Sequence, residues 1–322
     1  MEIYFQLVND AEGLKKAVDE LKNEPFLGFD VETTELEPFR GELRLVQLSN
    51  GRNTKVIDLR NFGSGSWAED GGDALRANAD LQPLRDLLAS KKQVKIAHNA
   101  KFDTKWARHY LGVEVGAVYD TYLASILIGA GEGDRRHGLA DVVQFFLQRT
   151  LDKTEQVSDW GANELSSSQI EYAARDAAIM NEVREKLDQR ITLDGLERVL
   201  RIENECVMPI AEMELNGFYL DRERWRDQLN KTSASQAKVA NELQDMLAAG
   251  VAQASLFGRP EINLDSQAQV TDAMVNLGIP MPNTTRAWEL QPLADRYPQV
   301  AKLLEYRTHA KATSSFGENI LS

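Results

Sequence analysis

At 322 residues the chain exceeds the usual size of one domain, so two compact units are expected, and 43% hydrophobic with 27% charged residues excludes disordered and fibrous classes. No apolar run approaches the roughly 20 residues that span a bilayer, and the first residues lack a basic stretch ahead of an apolar one, so a cytoplasmic protein with no membrane partner is expected. The net charge of −13 argues against a nucleic-acid partner, because phosphate binding is driven by Lys and Arg, but the segment Lys91–Arg108 runs the other way, with six basic residues around one acid, Asp103.

In chain order, FLGFDVET (Phe26 to Thr33), LRLVQLSN (Leu43 to Asn50) and TKVIDL (Thr54 to Leu59) read as consecutive antiparallel strands. Residues Arg60 to Asp80 have no period and read as a surface loop. A helix near Leu81 to Ala89, a strand at QVKIAHN and a helix from about Phe102 to Leu111 follow, giving an α/β layer structure. The run SSSQIEYAARDAAIM predicts a long helix capped by Ser168 and Glu171, with Tyr172 and Asp176 one turn apart on one face. Beyond about Leu193 the character becomes helical, broken at Asn216-Gly217, at SLFGRPEINLDS and at GIPMPNTTRAW, which sets a domain boundary near Thr192: residues 1–192 and 193–322.

Strand alternation puts Asp30 and Glu32 on one face, with Leu27, Phe29 and Val31 on the other. Adjacent anions among apolar residues cost stability unless a cation or hydrogen bonds offset them. Asp103 falls where a strand gives way to a helix, where an acid also suits the helix dipole. Each of these elements alone has an ordinary structural explanation. Cys206 is the lone cysteine, which excludes an intramolecular disulfide and a thiolate zinc cluster and is expected to be a small buried residue. The four histidines, His98, His109, His137 and His309, show no zinc spacing, so any metal is expected to be held by oxygen.

The ordered set of Asp30-x-Glu32, Asn99-x-x-x-Asp103 and Tyr172-x-x-x-Asp176 resembles the three motifs of the DEDD exonuclease superfamily in its tyrosine branch, over roughly Phe26 to Leu187. The histidine branch would carry His where this chain has Glu171. The resemblance implies a ribonuclease-H-like mixed sheet flanked by helices and 3′-5′ exonuclease activity with two divalent ions, Mg2+ or Mn2+, which suit hard oxygen ligands. Carried over residue by residue, Asp30 bridges both ions, Glu32 and Asp176 hold the first, Asp103 holds the second and Tyr172 orients the attacking water. Leu36 matches an apolar wedge beside the terminal base and equally an ordinary loop residue, while Asn99 and Phe102 match strand-contacting positions. His98 departs from the glutamine often seen there.

The stretch from Glu203 to Asp221, then Ile262 to Ser266 and Leu304 to Thr313, resembles the region after the exonuclease domain in family A DNA polymerases, up to the approach to the thumb. No palm or fingers motif occurs, so polymerase activity is not expected of this chain. The implied partner is a single-stranded DNA 3′ end in proofreading, with a separate polymerase subunit possible. A ribonuclease-D-like RNA exonuclease, whose approach to the last motif resembles Leu151 to Trp160, and a noncatalytic DNA-binding module of a split polymerase are the alternatives.

Overall fold

The apolar, β-branched runs of the N-terminal half pair into one mixed sheet. In a computed structural model, which describes residues 4–63, 72–251 and 261–321, that sheet has six strands, β1 (Tyr4–Val8), β2 (Phe26–Thr33), β3 (Leu43–Ser49), β4 (Asn53–Asp58), β5 (Val94–Ala97) and β6 (Val118–Asp120). Their order across the sheet is β1-β4-β3-β2-β5-β6. β2, β3 and β4 are antiparallel to one another as expected, and β1 joins β4, β5 joins β2, and β6 joins β5 in parallel. The edge strands β1 and β6 were not anticipated.

Helices flank the sheet: α1 (Ala11–Leu21), α2 (Asp73–Ala77), α3 (Gln82–Ala89), α4 (Ala100–Leu111), α5 (Thr121–Ile128), α6 (Leu139–Leu147), α7 (Ser167–Asp194) and α8 (Glu197–Asn216). Residues 64–71 of the expected surface loop and 252–260 of the later break lie outside the described residues, but the described part of the first carries α2, because Leu75 has a core site to fill and is fully buried there. One core packs Leu14, Leu27, Phe29, Val31, Trp106 and Tyr110; another packs Ile96, Val142, Ile179, Val183 and Leu187. Burying such side chains contributes about 1.5–3 kcal/mol each.

Chain contacts divide the molecule into Met1–Gly217 and Phe218–Ser322. The division falls beyond Thr192, because that residue lies inside α7 and the next helix, α8, packs back on α4. Gly217, at φ 57, ends α8 at the anticipated Asn216-Gly217 break. Cys206, on α8, is partly exposed rather than buried. The second unit is helical: α9 (Arg222–Ala248), α10 (Gln267–Asn276), α11 (Ala287–Ala294) and α12 (Pro298–Ser315) enclose a core including Leu243, Leu247, Met274, Leu290, Leu303 and Tyr306. Among the described residues no helix is long and apolar enough to cross a membrane.

Candidate active site

Asp30 and Glu32 leave β2 on the face opposite Leu27, Phe29 and Val31, which enter the core. Over that carboxylate-bearing strand lies α7. The approach is set by Gly28, where a Cβ would stand 2.0 Å from the Ala177 carbonyl oxygen. No larger residue permits this contact. The small buried residues Ala173, Ala174, Ala177 and Ala178 give α7 a flat underside, and Tyr172 and Asp176 are carried down to the strand with it.

The cap of α7 differs from expectation. Ser166 is the N-cap, and Gln169 completes the box by accepting from the Ser166 backbone N–H at 2.9 Å while its own N–H donates to Ser166 Oγ at 3.1 Å. Three consecutive serines leave the cap ambiguous in the sequence, and Glu171 instead accepts from Arg175 at 2.6 Å. Tyr172 and Asp176 keep their i, i+4 relation.

Asp103 arrives from the other side. β5 ends at Ala97, and the chain turns through His98 and Asn99 into α4, with Asn99 in the left-handed region at φ 65, which Asn tolerates better than most residues. The corner is held by Asp120, which accepts from the backbone N–H groups of Asn99 (3.0 Å), Ala100 (2.8 Å), Tyr122 (2.8 Å) and Leu123 (3.3 Å). That carboxylate fixes the starts of α4 and α5 together and sets Asp103 in the first turn of α4, 2% exposed. Asp120 was not foreseen, since its partners are distant in sequence.

A cavity of about 520 Å³ opens over these groups, lined among others by Asp30, Glu32, His98, Asn99, Lys153, Gln156, Tyr172 and Asp176. Of the anticipated residues, Asp103 is buried within hydrogen-bonding reach of Asp30 without joining the wall. Leu36, 77% exposed, and Phe102, half-buried beside Trp106 with ring centroids 6.1 Å apart, are not in the wall either.

Loss of water dominates the electrostatics. Burial, then the Asp176 charge, pushes Asp30 up to about 8, although part of the residue still meets water. Burial, then Asp30, pushes Glu32 and Asp103 well above the usual carboxylate range; burial also raises Asp176, against the pull of Lys153. Tyr172 is pushed up by burial and then by Asp176. His98, whose Nδ1 lies 2.9 Å from Thr121 Oγ1, is pushed down to about 4 by burial. The single cation in the described wall is Lys153, donating to Asp176 Oδ2 at 2.9 Å and to the Tyr172 hydroxyl at 3.4 Å. Among the described residues the buried oxygens Asp103 Oδ1 and Asp176 Oδ1 have no hydrogen-bond partner. Among the described residues no three His, Cys, Asp or Glu side chains already stand as a closed metal site. Even so, four hard carboxylates with two unpartnered buried oxygens are a donor set that fits divalent ions.

The basic segment Lys91–Arg108 has mostly structural partners. Lys95 is buried and donates to the Ser90 and Gln93 carbonyls. Lys101 and Lys105 reach Glu214 of α8 at 2.5 and 3.4 Å, and Arg108 forks onto Glu212 at 3.0 and 3.0 Å.

A family profile described as 3′-5′ exonuclease matches residues 5–192. DNA polymerase I of Aquifex aeolicus is 33% identical over 259 residues, covering 75% of this chain and 40% of the relative. Ribonuclease D of Gluconacetobacter diazotrophicus is 30% identical over 189 residues, covering 59% of this chain and 44% of the relative. The chain thus spans less than half the length of either. A solved structure of Brucella melitensis NrnC with bound Mg2+ superposes with a TM-score of 0.54 at 26% identity, covering 67% of this chain and 95% of that one.

Proposed function

This chain belongs to the 3′-5′ exonuclease family, and on that premise we propose that it shortens single-stranded or frayed DNA from the 3′ end, releasing nucleoside 5′-monophosphates in a proofreading role. The observation that carries the reading is the convergence of Asp30, Glu32, Asp103 and Asp176 from a strand and two helices, with Tyr172 beside them, on one cavity and its floor. In this reading two divalent ions, Mg2+ or Mn2+, would be held by these carboxylates: Asp30 would serve both, Glu32 and Asp176 the first and Asp103 the second. When bound, such ions supply a water of lowered pKa and neutralise charge building on the phosphate. The high pKa of Tyr172 keeps its hydroxyl protonated, so it serves as a hydrogen-bonding group that orients water and not as a base. His98, held neutral, and Asn99 offer uncharged hydrogen-bonding groups on the wall, suited to the sugar and base of a terminal nucleotide. Leu36 and Phe102, outside the wall, serve as a wedge and a stacking face for bases approaching it.

DNA is favoured over RNA because similarity to DNA polymerase I runs over 259 residues, past the family match that ends at residue 192. Similarity to ribonuclease D runs over 189 residues. A polymerase subunit working beside this chain is part of the same reading. The test is stepwise digestion of matched 5′-labelled DNA and RNA oligonucleotides with Mg2+. DNA is expected to shorten from its 3′ end at least roughly ten-fold faster, a difference of about 1.4 kcal/mol in barrier. Equal or faster loss of RNA overturns the DNA reading, and wild-type activity in Asp30→Ala overturns the site.

A further inference from the structure

Lys153 has a place in the site that the five-residue pattern does not assign. It stands on the segment between α6 and α7, residues 148–166, whose far half is pinned to the sheet. Arg44 donates to the carbonyls of Ala162 at 2.6 Å and Trp160 at 3.4 Å, Arg60 donates to those of Ala162 and Gly161 at 2.8 and 3.0 Å, and Trp160 is buried near Tyr172. Arg44 is itself fixed by a bidentate pair with Asp58 at 2.9 and 3.1 Å. The near half is tied to α7 instead, where Arg149 donates to Glu182 at 2.7 Å, and beyond Lys153 it runs along the surface, with Val157 92% exposed. The Lys153 backbone is thereby held between buried Leu151 and the pinned stretch, while its ammonium sits on a flexible four-carbon stem with three donors.

We propose that Lys153 is an exchangeable counter-cation, holding Asp176 until a divalent ion takes that carboxylate and then turning to the phosphate of the terminal nucleotide. This rests on the proposed function above. Four carboxyl groups must be ionised to hold divalent ions, and the one ammonium in the described wall already sits on Asp176 at 2.9 Å. A divalent ion on Asp176 repels that ammonium, which is 28% exposed along its side chain and so has room to move into the cavity. There the group needing a cation is the phosphate, and an ammonium is a compact point charge for it.

The test uses the full chain with Lys153→Gln, Lys153→Arg and Asp176→Asn. Mn2+ binding is followed by electron paramagnetic resonance and dTMP binding to the Mn2+-loaded protein by calorimetry. Lys153→Gln is expected to tighten Mn2+ about ten-fold, the effect of one pK unit of lost competition, and to weaken dTMP by roughly the same factor. Lys153→Arg, which keeps the charge, is expected to stay near wild type in both. Unchanged or weaker Mn2+ binding in Lys153→Gln overturns the proposal, as does unchanged dTMP affinity or an arginine variant that behaves like the glutamine one. Wild-type Mn2+ binding in Asp176→Asn instead overturns the reading of the site itself.

Discussion

The N-terminal unit gathers charge at two places and treats it in opposite ways. Along the seam of α4 and α8, Lys101, Lys105 and Arg108 meet Glu214, Glu37 and Glu212, so that each cation has an acidic partner on partly exposed ground. Around β2 and α7, four acids share one ammonium, and burial raises the pKa of every one of them. The seam is complete as it stands. The cavity is a cluster that the fold tolerates at a cost in stability, which is the pattern expected where charge is kept for chemistry.

The sharpest way to break this comparison is Asp30→Asn. If the cavity is kept for chemistry, release of nucleoside monophosphate falls by about a thousand-fold or more, on the scale of removing a group central to two-ion catalysis. At the same time the metal-free protein becomes more stable, because a buried carboxyl group whose ionised form is opposed by burial and by the Asp176 charge is gone. Oligonucleotide digestion and thermal unfolding measured on the same preparation check both halves. A variant that loses stability along with activity would make Asp30 a structural residue, no different in kind from the seam.

Second in size is the approach of α7 to β2. Gly28→Ala puts a methyl group 2.0 Å from the Ala177 carbonyl oxygen, a contact that backbone cannot relieve without shifting the helix. Overpacking of this kind costs about 1–3 kcal/mol or more. Urea unfolding should register that loss, and the exonuclease rate should fall with it, because Tyr172 and Asp176 travel on the displaced helix.

Lys95 supplies a third case, a buried cation whose partners are carbonyls and not acids. Burial pushes it down to about 8 from the ordinary 10.5. Its folded pKa lies below its unfolded one, so between those values the unfolded chain binds more protons and stability rises with pH. The rise across pH 8 to 10.5 is on the order of 3 kcal/mol at most, from 1.36 kcal/mol per unit. Unfolding free energies of wild type and Lys95→Met should therefore differ in slope over that window, with the slope confined to wild type. Parallel curves would mean that the Ser90 and Gln93 carbonyls stabilise the ammonium fully.

Much of the site was legible because it rests on local periodicity. Two-residue alternation placed Asp30 and Glu32 on one face of β2, and the i, i+4 spacing paired Tyr172 with Asp176, both as found. What escaped depends on contacts distant in sequence. Lys153 lies on a segment without a repeat, positioned by Arg44 reaching Ala162 from a sheet strand, 118 residues away. Asp120 earns its place by capping a turn twenty residues upstream, through bonds to Asn99 and Ala100. The edge strands β1 and β6, five and three residues long, carry too few apolar positions to register as a pattern.

The smallest effect belongs to the seam. Glu212→Gln and Glu214→Gln remove pairs on partly exposed ground, each worth at most about 1 kcal/mol and less as salt rises. Thermal unfolding at low and high salt should show that modest, screened loss. If the seam is structural only, digestion of DNA stays within about two-fold of wild type at every salt concentration. The freed cations on α4 offer the way to break this: were they to add to backbone binding, Glu214→Gln would digest faster than wild type at low salt, and the advantage would fade as counterions compete. In that outcome α8 masks a nucleic-acid surface, and the two charge clusters would serve a single substrate.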